Sequence, residues 1–167
     1  RTARLAAVLD RRGWLQPTLD AFLIDGFPEL IASGAVYDAE MPALNGCFTA
    51  RALAGMYSVL AAEGSRDGRR FLSTETVRRA TTIRTRRRDL VVGFPMRWRL
   101  GYHFAATARG IRPRGFGHFG LGGSGGWADP DLDLAVAMTC NRMAGTPFGD
   151  QRLVRVGSAA VKAAAAR

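Results

Sequence analysis

The sequence predicts an α+β chain in which helices flank an antiparallel sheet, and three observations predict it. Apolar residues at helical spacing fill much of the first half, strand formers take over near residue 90, and an Ala-rich helical stretch closes the chain. The 167 residues are 47% apolar, which excludes a charged disordered chain and is enough for one core. They read as a single domain or part of one: helical and loop segments over 1–89, a meander over 90–143, and a terminal helix over 150–166.

The elements follow in order. Residues 1–32 read as interrupted helix. Leu5, Val8 and Leu9 have helical spacing, as do Leu19, Phe22 and Leu23, and Gly13, Pro17, Gly26 and Pro28 break the run. Over 33–48, Gly34, Pro42 and Gly46 prevent a long element. The clearest helix runs from about Thr49 to Glu63, with Thr49 as cap, a stripe of Leu53, Met56, Tyr57 and Leu60, and Gly64 to end it. A turn at Asp67-Gly68 precedes a second helix, capped by Ser73 with Glu75 in its first turn. Met96, Trp98, Leu100, Tyr102 and Phe104 alternate along a strand over 96–104. Two more strands are expected over 114–120 and 123–128, then a turn at Asp129-Pro130-Asp131 and a strand over 132–140 covered on both faces. The terminal helix has Asp150 as candidate cap and Leu153, Val154, Val156 and Val161 as apolar contacts. A sheet this small is a whole one or the exposed portion of a larger one, since a bare edge is a liability.

Composition closes several functional classes. Two cysteines, Cys47 and Cys140, exclude a disulfide framework and a four-thiolate zinc site, and two histidines, His103 and His118, argue against a multi-His site. No cofactor or metal is expected. No apolar run reaches the roughly 20 residues of a membrane helix. The chain starts at Arg1 with no leader, so it is read as a processed product or a piece of something longer. The cytoplasm is the default expectation, with an upstream signal or anchor left open. The net charge of +10 is concentrated in residues 66–114, fourteen arginines against three acids. Arg84-Thr85-Arg86-Arg87-Arg88 supplies much of it and could meet an anion. It lacks interleaved aromatics, so a solvated basic loop is preferred over a nucleic-acid contact. Lys162 is the sole lysine against 23 arginines, so any lysine-dependent mechanism must use it or a residue outside this chain.

Residues 115–130 contain seven glycines in sixteen positions. Such density suits a backbone that turns tightly or approaches something closely. Gly-x-Gly-x-x-Gly occurs at 115, 117 and 120 and again at 120, 122 and 125, but neither opens a helix after a strand, and no Gly-Lys-Ser/Thr ends a P-loop. A glycine-rich hairpin under a helix is the plain structural alternative. Ser124 lacks the context of a nucleophile elbow. Cys47 or Cys140 beside His118 reads more readily as buried filler than as a nucleophile. Asp129, Asp131 and Asp133 read as turn residues rather than a cation site. Trp98 and Trp127 suit a core as well as a pocket wall. His103 falls out of phase with the apolar set of 96–104, which gives it a structural or surface role.

Phe116-Gly117-His118-Phe119-Gly120, Gly122-Gly123-Ser124-Gly125-Gly126, Ala128-Asp129-Pro130 and Asn141-Arg142-Met143 together resemble the C-terminal part of serine beta-lactamase-like hydrolases. That family includes class C beta-lactamases, esterases and DD-peptidases. Pro42-Ala43-Leu44-Asn45-Gly46, Thr49-Ala50-Arg51-Ala52-Leu53-Ala54 with Tyr57, and Gly68-Arg69-Arg70-Phe71-Leu72-Ser73 with Glu75-Thr76-Val77 resemble the preceding segments of its esterase-like branch. The resemblance covers about 40–143. It implies the C-terminal part of the beta-lactamase/transpeptidase-like fold and a small acyl substrate: an ester, an amide or a beta-lactam. It matches His118-Phe119-Gly120 to the family's third motif, Lys-Thr-Gly or His-x-Gly. His118, Phe119 and Gly120 are then substrate-binding, and the backbone N–H of Leu121 gives one half of an oxyanion hole in the complete enzyme.

The family's Ser-x-x-Lys and Tyr-x-Asn motifs do not occur in these residues. The chain is therefore expected to be inactive alone and to need the missing N-terminal portion of the enzyme, in the same or another chain. The alternative is a non-catalytic binding or interaction domain derived from that fold, with 84–88 as its contact.

Overall fold

The computed structural model describes residues 20–21, 25–41, 45–120, 122–142 and 151–166. The Asp150 cap and most of the helical material expected over 1–24 lie outside them. The chain divides into two units: Arg1–Cys47 with Arg88–Phe94, and Phe48–Arg87 with Pro95–Arg167. In the first, helix α1 (Phe27–Ser33) ends at Gly34 and is followed by a 3-10 turn over Ala35–Tyr37. In the same unit Asp89 accepts the N–H groups of Val91 and Val92 on its own carboxylate, closing a tight turn.

The second unit holds the sheet. Its first helix, α2 (Ala50–Ala61), starts where the sequence places it, because the Thr49 hydroxyl accepts the Ala52 N–H at 3.1 Å. Gly64, at φ 97°, ends the segment by donating its N–H to the Val59 carbonyl at 2.7 Å. Asp67 and Gly68, both at positive φ, then turn a two-residue hairpin between β1 (Ser65–Arg66) and β2 (Arg69–Arg70). Helix α3 (Thr74–Thr81) is capped by Ser73, whose hydroxyl accepts the Thr76 N–H at 3.0 Å.

The strand expected over 96–104 is shorter and later. Strand β3 runs His103–Thr107, because Arg97 at φ 53° and Gly101 at φ 81° fold the preceding residues into turns. Arg99 donates its N–H to the Tyr102 carbonyl and Leu100 to that of Ala80, so neither is free for a ladder. Strands β4 (Gly110–Phe119), β5 (Gly125–Asp129) and β6 (Leu134–Met138) complete an antiparallel sheet in the order β3-β4-β5-β6. Between Phe104↔Phe116 and Ala106↔Ile111 the β3–β4 register slips. Pro113, which has no N–H to give, falls in that bulge.

Successive strand residues face opposite sides of the sheet, and each side carries a helix. On one, Phe116 and Ala128 pack against Tyr57, Leu60 and Ala61 of α2 and Val77 of α3. On the other, Ala105, Trp127 and Val136 pack against Leu153 of α4 (Gln151–Ala164). Burying a side chain of the size of Phe116 contributes about 1.5–3 kcal/mol, and Phe116 and Trp127 are each only 1% exposed. The result is a helix–sheet–helix sandwich, an antiparallel sheet flanked by helices as the sequence predicts.

Candidate active site

The segment that the resemblance singles out sits at the end of β4. His118 and Phe119 are the last strand residues, Gly120 is the first beyond them, and Leu121 lies outside the described residues. A tight turn follows: Gly123 donates to the Gly120 carbonyl at 3.0 Å, and Gly120 donates to the Ser124 carbonyl at 2.9 Å. Ser124 then ties down the end of β6, its hydroxyl accepting the Cys140 N–H at 2.9 Å while the Cys140 thiol points to the Gly123 carbonyl. Ser124 and Cys140 thus brace the turn. Cys47 is exposed and belongs to the other unit.

Two side chains distant in sequence meet the backbone of this strand end. From α2, the Tyr57 hydroxyl accepts the His118 N–H at 3.1 Å. The phenol reaches it because Gly126 has no side chain; a β-carbon there would stand 2.7 Å from two Tyr57 ring carbons. Burial, reinforced by neighbouring Tyr102, holds the Tyr57 hydroxyl above its ordinary pKa, so it stays protonated. From β3, His103 Nε2 accepts the Phe119 N–H at 3.4 Å, and Nδ1 lies 2.8 Å from the Phe104 carbonyl. A carbonyl only accepts and an N–H only donates, so the two partners fix His103 as the neutral Nδ1–H tautomer. Its ring is boxed by Trp98, Phe104, His118 and Phe119, with centroids 5.7, 5.6, 5.3 and 4.3 Å away. Burial pushes its pKa down to about 4; His118 and Arg99 push the same way, and the Phe104 bond opposes them. His118 itself is exposed, and what desolvation its imidazole feels lowers its pKa.

In the sequence Tyr57 belongs to an apolar stripe and to the helix segment that resembles the esterase-like branch, and His103 has a structural or surface role. The available signals were a hydroxyl on a buried helix face, which needs a partner, and a glycine-rich strand able to receive it. For His103 the signal was a polar ring inside a run of aromatics.

The other candidates have structural partners. Asp129, fully buried, accepts Arg112 Nε at 2.5 Å and the Asp131 N–H at 3.1 Å, while Asp131 pairs with Arg114 at 3.0 Å. Among the described residues no group of three or more His, Cys, Asp or Glu is placed to hold a metal. Trp127 lies against α4, where a β-carbon on Gly157 would come within 2.8 Å of the indole. Arg84 donates to the Arg79 carbonyl at the end of α3, folding part of the basic segment back on its own backbone. A mostly apolar cavity of about 620 Å³ opens beside α2, lined by Met56, Val59, Phe71, Leu72 and Tyr102 among others. Neither His118 nor Gly120 lines it, so it is separate from the β4 end.

Comparison with known proteins bears on the family and the fold. The Beta-lactamase family matches residues 2–161. The esterase/beta-lactamase LipL of Mycobacterium tuberculosis is 47% identical over 126 residues, covering 70% of this chain and 28% of that protein. The crystal structure of a family VIII carboxylesterase superposes with a TM-score of 0.60 at 37% identity, over 66% of this chain and 30% of that one. A novel penicillin-binding protein homolog from Caulobacter crescentus gives 0.59 at 33% identity, over 67% and 32%. The chain thus spans about a third or less of the length of these relatives.

Proposed function

Because this chain belongs to the beta-lactamase family, we propose that it is the C-terminal portion of a serine hydrolase that transfers the acyl group of an ester, an amide or a beta-lactam. The nucleophile and its proton-transfer partners come from a segment outside these 167 residues, in the same polypeptide or another. This portion contributes the wall of the site formed by His118, Phe119 and Gly120. Gly120 lets an acyl substrate lie along the backbone, His118 positions it, and the resemblance assigns the N–H of Leu121 to the oxygen that gains charge as the nucleophile adds. On its own the chain carries out no such reaction.

One observation carries the reading: the His-x-Gly segment is the end of an inner strand of the sheet, with its backbone held and His118 exposed. An ester or lactam carbonyl approaching that end meets the backbone without crossing a side chain at position 120. Among the described residues no helix is long and apolar enough to cross a membrane.

The test is a fluorophosphonate probe applied to the native polypeptide that contains this chain, followed by peptide mapping. Labelling of a serine in a Ser-x-x-Lys segment is expected, together with turnover of a p-nitrophenyl ester or nitrocefin. The 167 residues expressed alone should take no label. A native product that begins near Arg1, acts with no companion chain and takes no label would overturn the reading.

A further inference from the structure

Three successive backbone N–H groups of the β4 end are engaged, and at two of them the partner is a side chain from another element. Gly120 donates to the Ser124 carbonyl, His118 to the Tyr57 hydroxyl, and Phe119 to His103 Nε2. The reason lies in the sheet. The β3 ladder begins at His103↔Gly117, so two residues further along β4 no strand carbonyl stands opposite Phe119. The imidazole of the first β3 residue fills that place. On the α2 side a phenol from 61 residues earlier is admitted because Gly126 leaves room for its ring.

We propose that Tyr57 and His103 are positioning residues for acyl transfer, clamping the backbone of His118 and Phe119 so that the site wall formed by His118, Phe119 and Gly120 keeps a fixed geometry toward the substrate. The inference rests on the acyl-transfer reading above and adds two residues to it. Neither side chain needs to touch substrate. Both are uncharged hydrogen-bond acceptors, which hold the strand without placing a fixed negative charge beside an oxygen that itself becomes negative in the reaction. A carboxylate in either place would oppose that charge. The Nδ1–H tautomer is essential to the clamp, because an imidazolium has no lone pair for Phe119. The charged or titratable groups against His103 are His118 on β4 and Arg99 in the turn before β3, and both disfavour a second positive charge there.

The experiment uses the intact polypeptide carrying this chain, with selectively 15N-labelled histidine and three variants: Tyr57→Phe, His103→Phe and His103→Gln. Three results are expected. The His103 resonances show Nδ1 protonated and Nε2 unprotonated at neutral pH. Tyr57→Phe and His103→Phe lower kcat for a p-nitrophenyl ester roughly ten- to a hundredfold with KM little changed, as for a misplaced site wall. His103→Gln, whose amide can accept from Phe119 and donate to Phe104, restores most of the rate. An Nε2–H tautomer, or phenylalanine variants with wild-type kcat, would overturn the proposal. If the intact protein turns over no acyl substrate, the acyl-transfer reading fails by itself. The clamp is then read by amide hydrogen exchange, where each phenylalanine variant should speed exchange at its own partner, His118 or Phe119, about tenfold over the β5 amides. Unchanged exchange there would remove the clamp as well.

Discussion

At its start β4 is tied to β5 and the following turn by ion pairs, Arg112 with Asp129 and Arg114 with Asp131. At its end the same strand is held by a phenol and a neutral imidazole that take its backbone N–H groups. The first arrangement engages the strand's side chains, which need do nothing else. The second leaves the His118 side chain exposed and fixes only the backbone. A strand that must present residues to a ligand is better held by the second arrangement. The two ends also differ in what breaks them: loss of a charge at one, gain of a proton at the other.

The largest effect is expected at the ion-paired end. Asp129 has no solvent exposure and holds both Arg112 and the Asp131 N–H, whereas the Arg112 side chain keeps 26%. Asp129→Ala leaves a partly buried guanidinium unpaired and should destabilise the fold by about 3–5 kcal/mol, toward the lower figure because Arg112 reaches water. Urea unfolding measures it. A companion Arg112→Met should recover part of the loss. If it recovers nothing, Asp129 acts mainly through the Asp131 turn rather than as a counter-ion.

The second effect sharpens the other side of the comparison. His103 is neutral in the fold with a pKa of about 4, while an unfolded histidine takes up its proton near 6.5. Its contribution is complete above about pH 6.5, falls as pH drops from there to about 4, and does not change further below. The slope is positive because the unfolded chain binds more protons in that window. The loss should approach about 3 kcal/mol. His103→Phe should flatten this part of the stability–pH curve, and since carboxylates titrate alike in both proteins, the difference between them isolates the imidazole. A variant with the same slope as the parent would mean that His103 binds its proton equally in the folded and unfolded chains.

What the sequence made legible follows the same division between local and distant partners. Thr49 and Ser73 cap helices through donors three residues away, and both were readable from spacing alone. The His118–Gly120 segment was readable because its pattern is contiguous. The start of β3 was not. Apolar alternation from Met96 to Phe104 reports a tendency to extend, but it cannot report that Arg97, a residue with no special freedom, adopts a positive φ. Tyr57 and His103 were hidden for a third reason, since their partners lie 61 and 16 residues away and depend on strand register. The glycine at 126 is visible in the sequence, but nothing in the apolar stripe or the helix segment that contains Tyr57 says that its phenol needs that space.

The smallest effect decides whether burial or mere pairing explains the ion-paired end. Arg114 and Asp131 meet at 3.0 Å, longer than Arg112 and Asp129, with side chains 59% and 40% exposed. An exposed pair gains little over its hydrated partners and costs side-chain freedom, so Arg114→Ala should shift stability by about 0–1 kcal/mol. What it does contribute should shrink further in high salt, which screens exposed charges far more than buried ones. If Arg114→Ala instead cost as much as Asp129→Ala, the two pairs would act as one network, and the start of β4 would owe its hold to charge number rather than to the burial of Asp129. If it costs nothing measurable, the strand's fixed start is a single buried carboxylate facing one guanidinium. The comparison then reduces to one buried anion at one end of β4 against two neutral acceptors at the other.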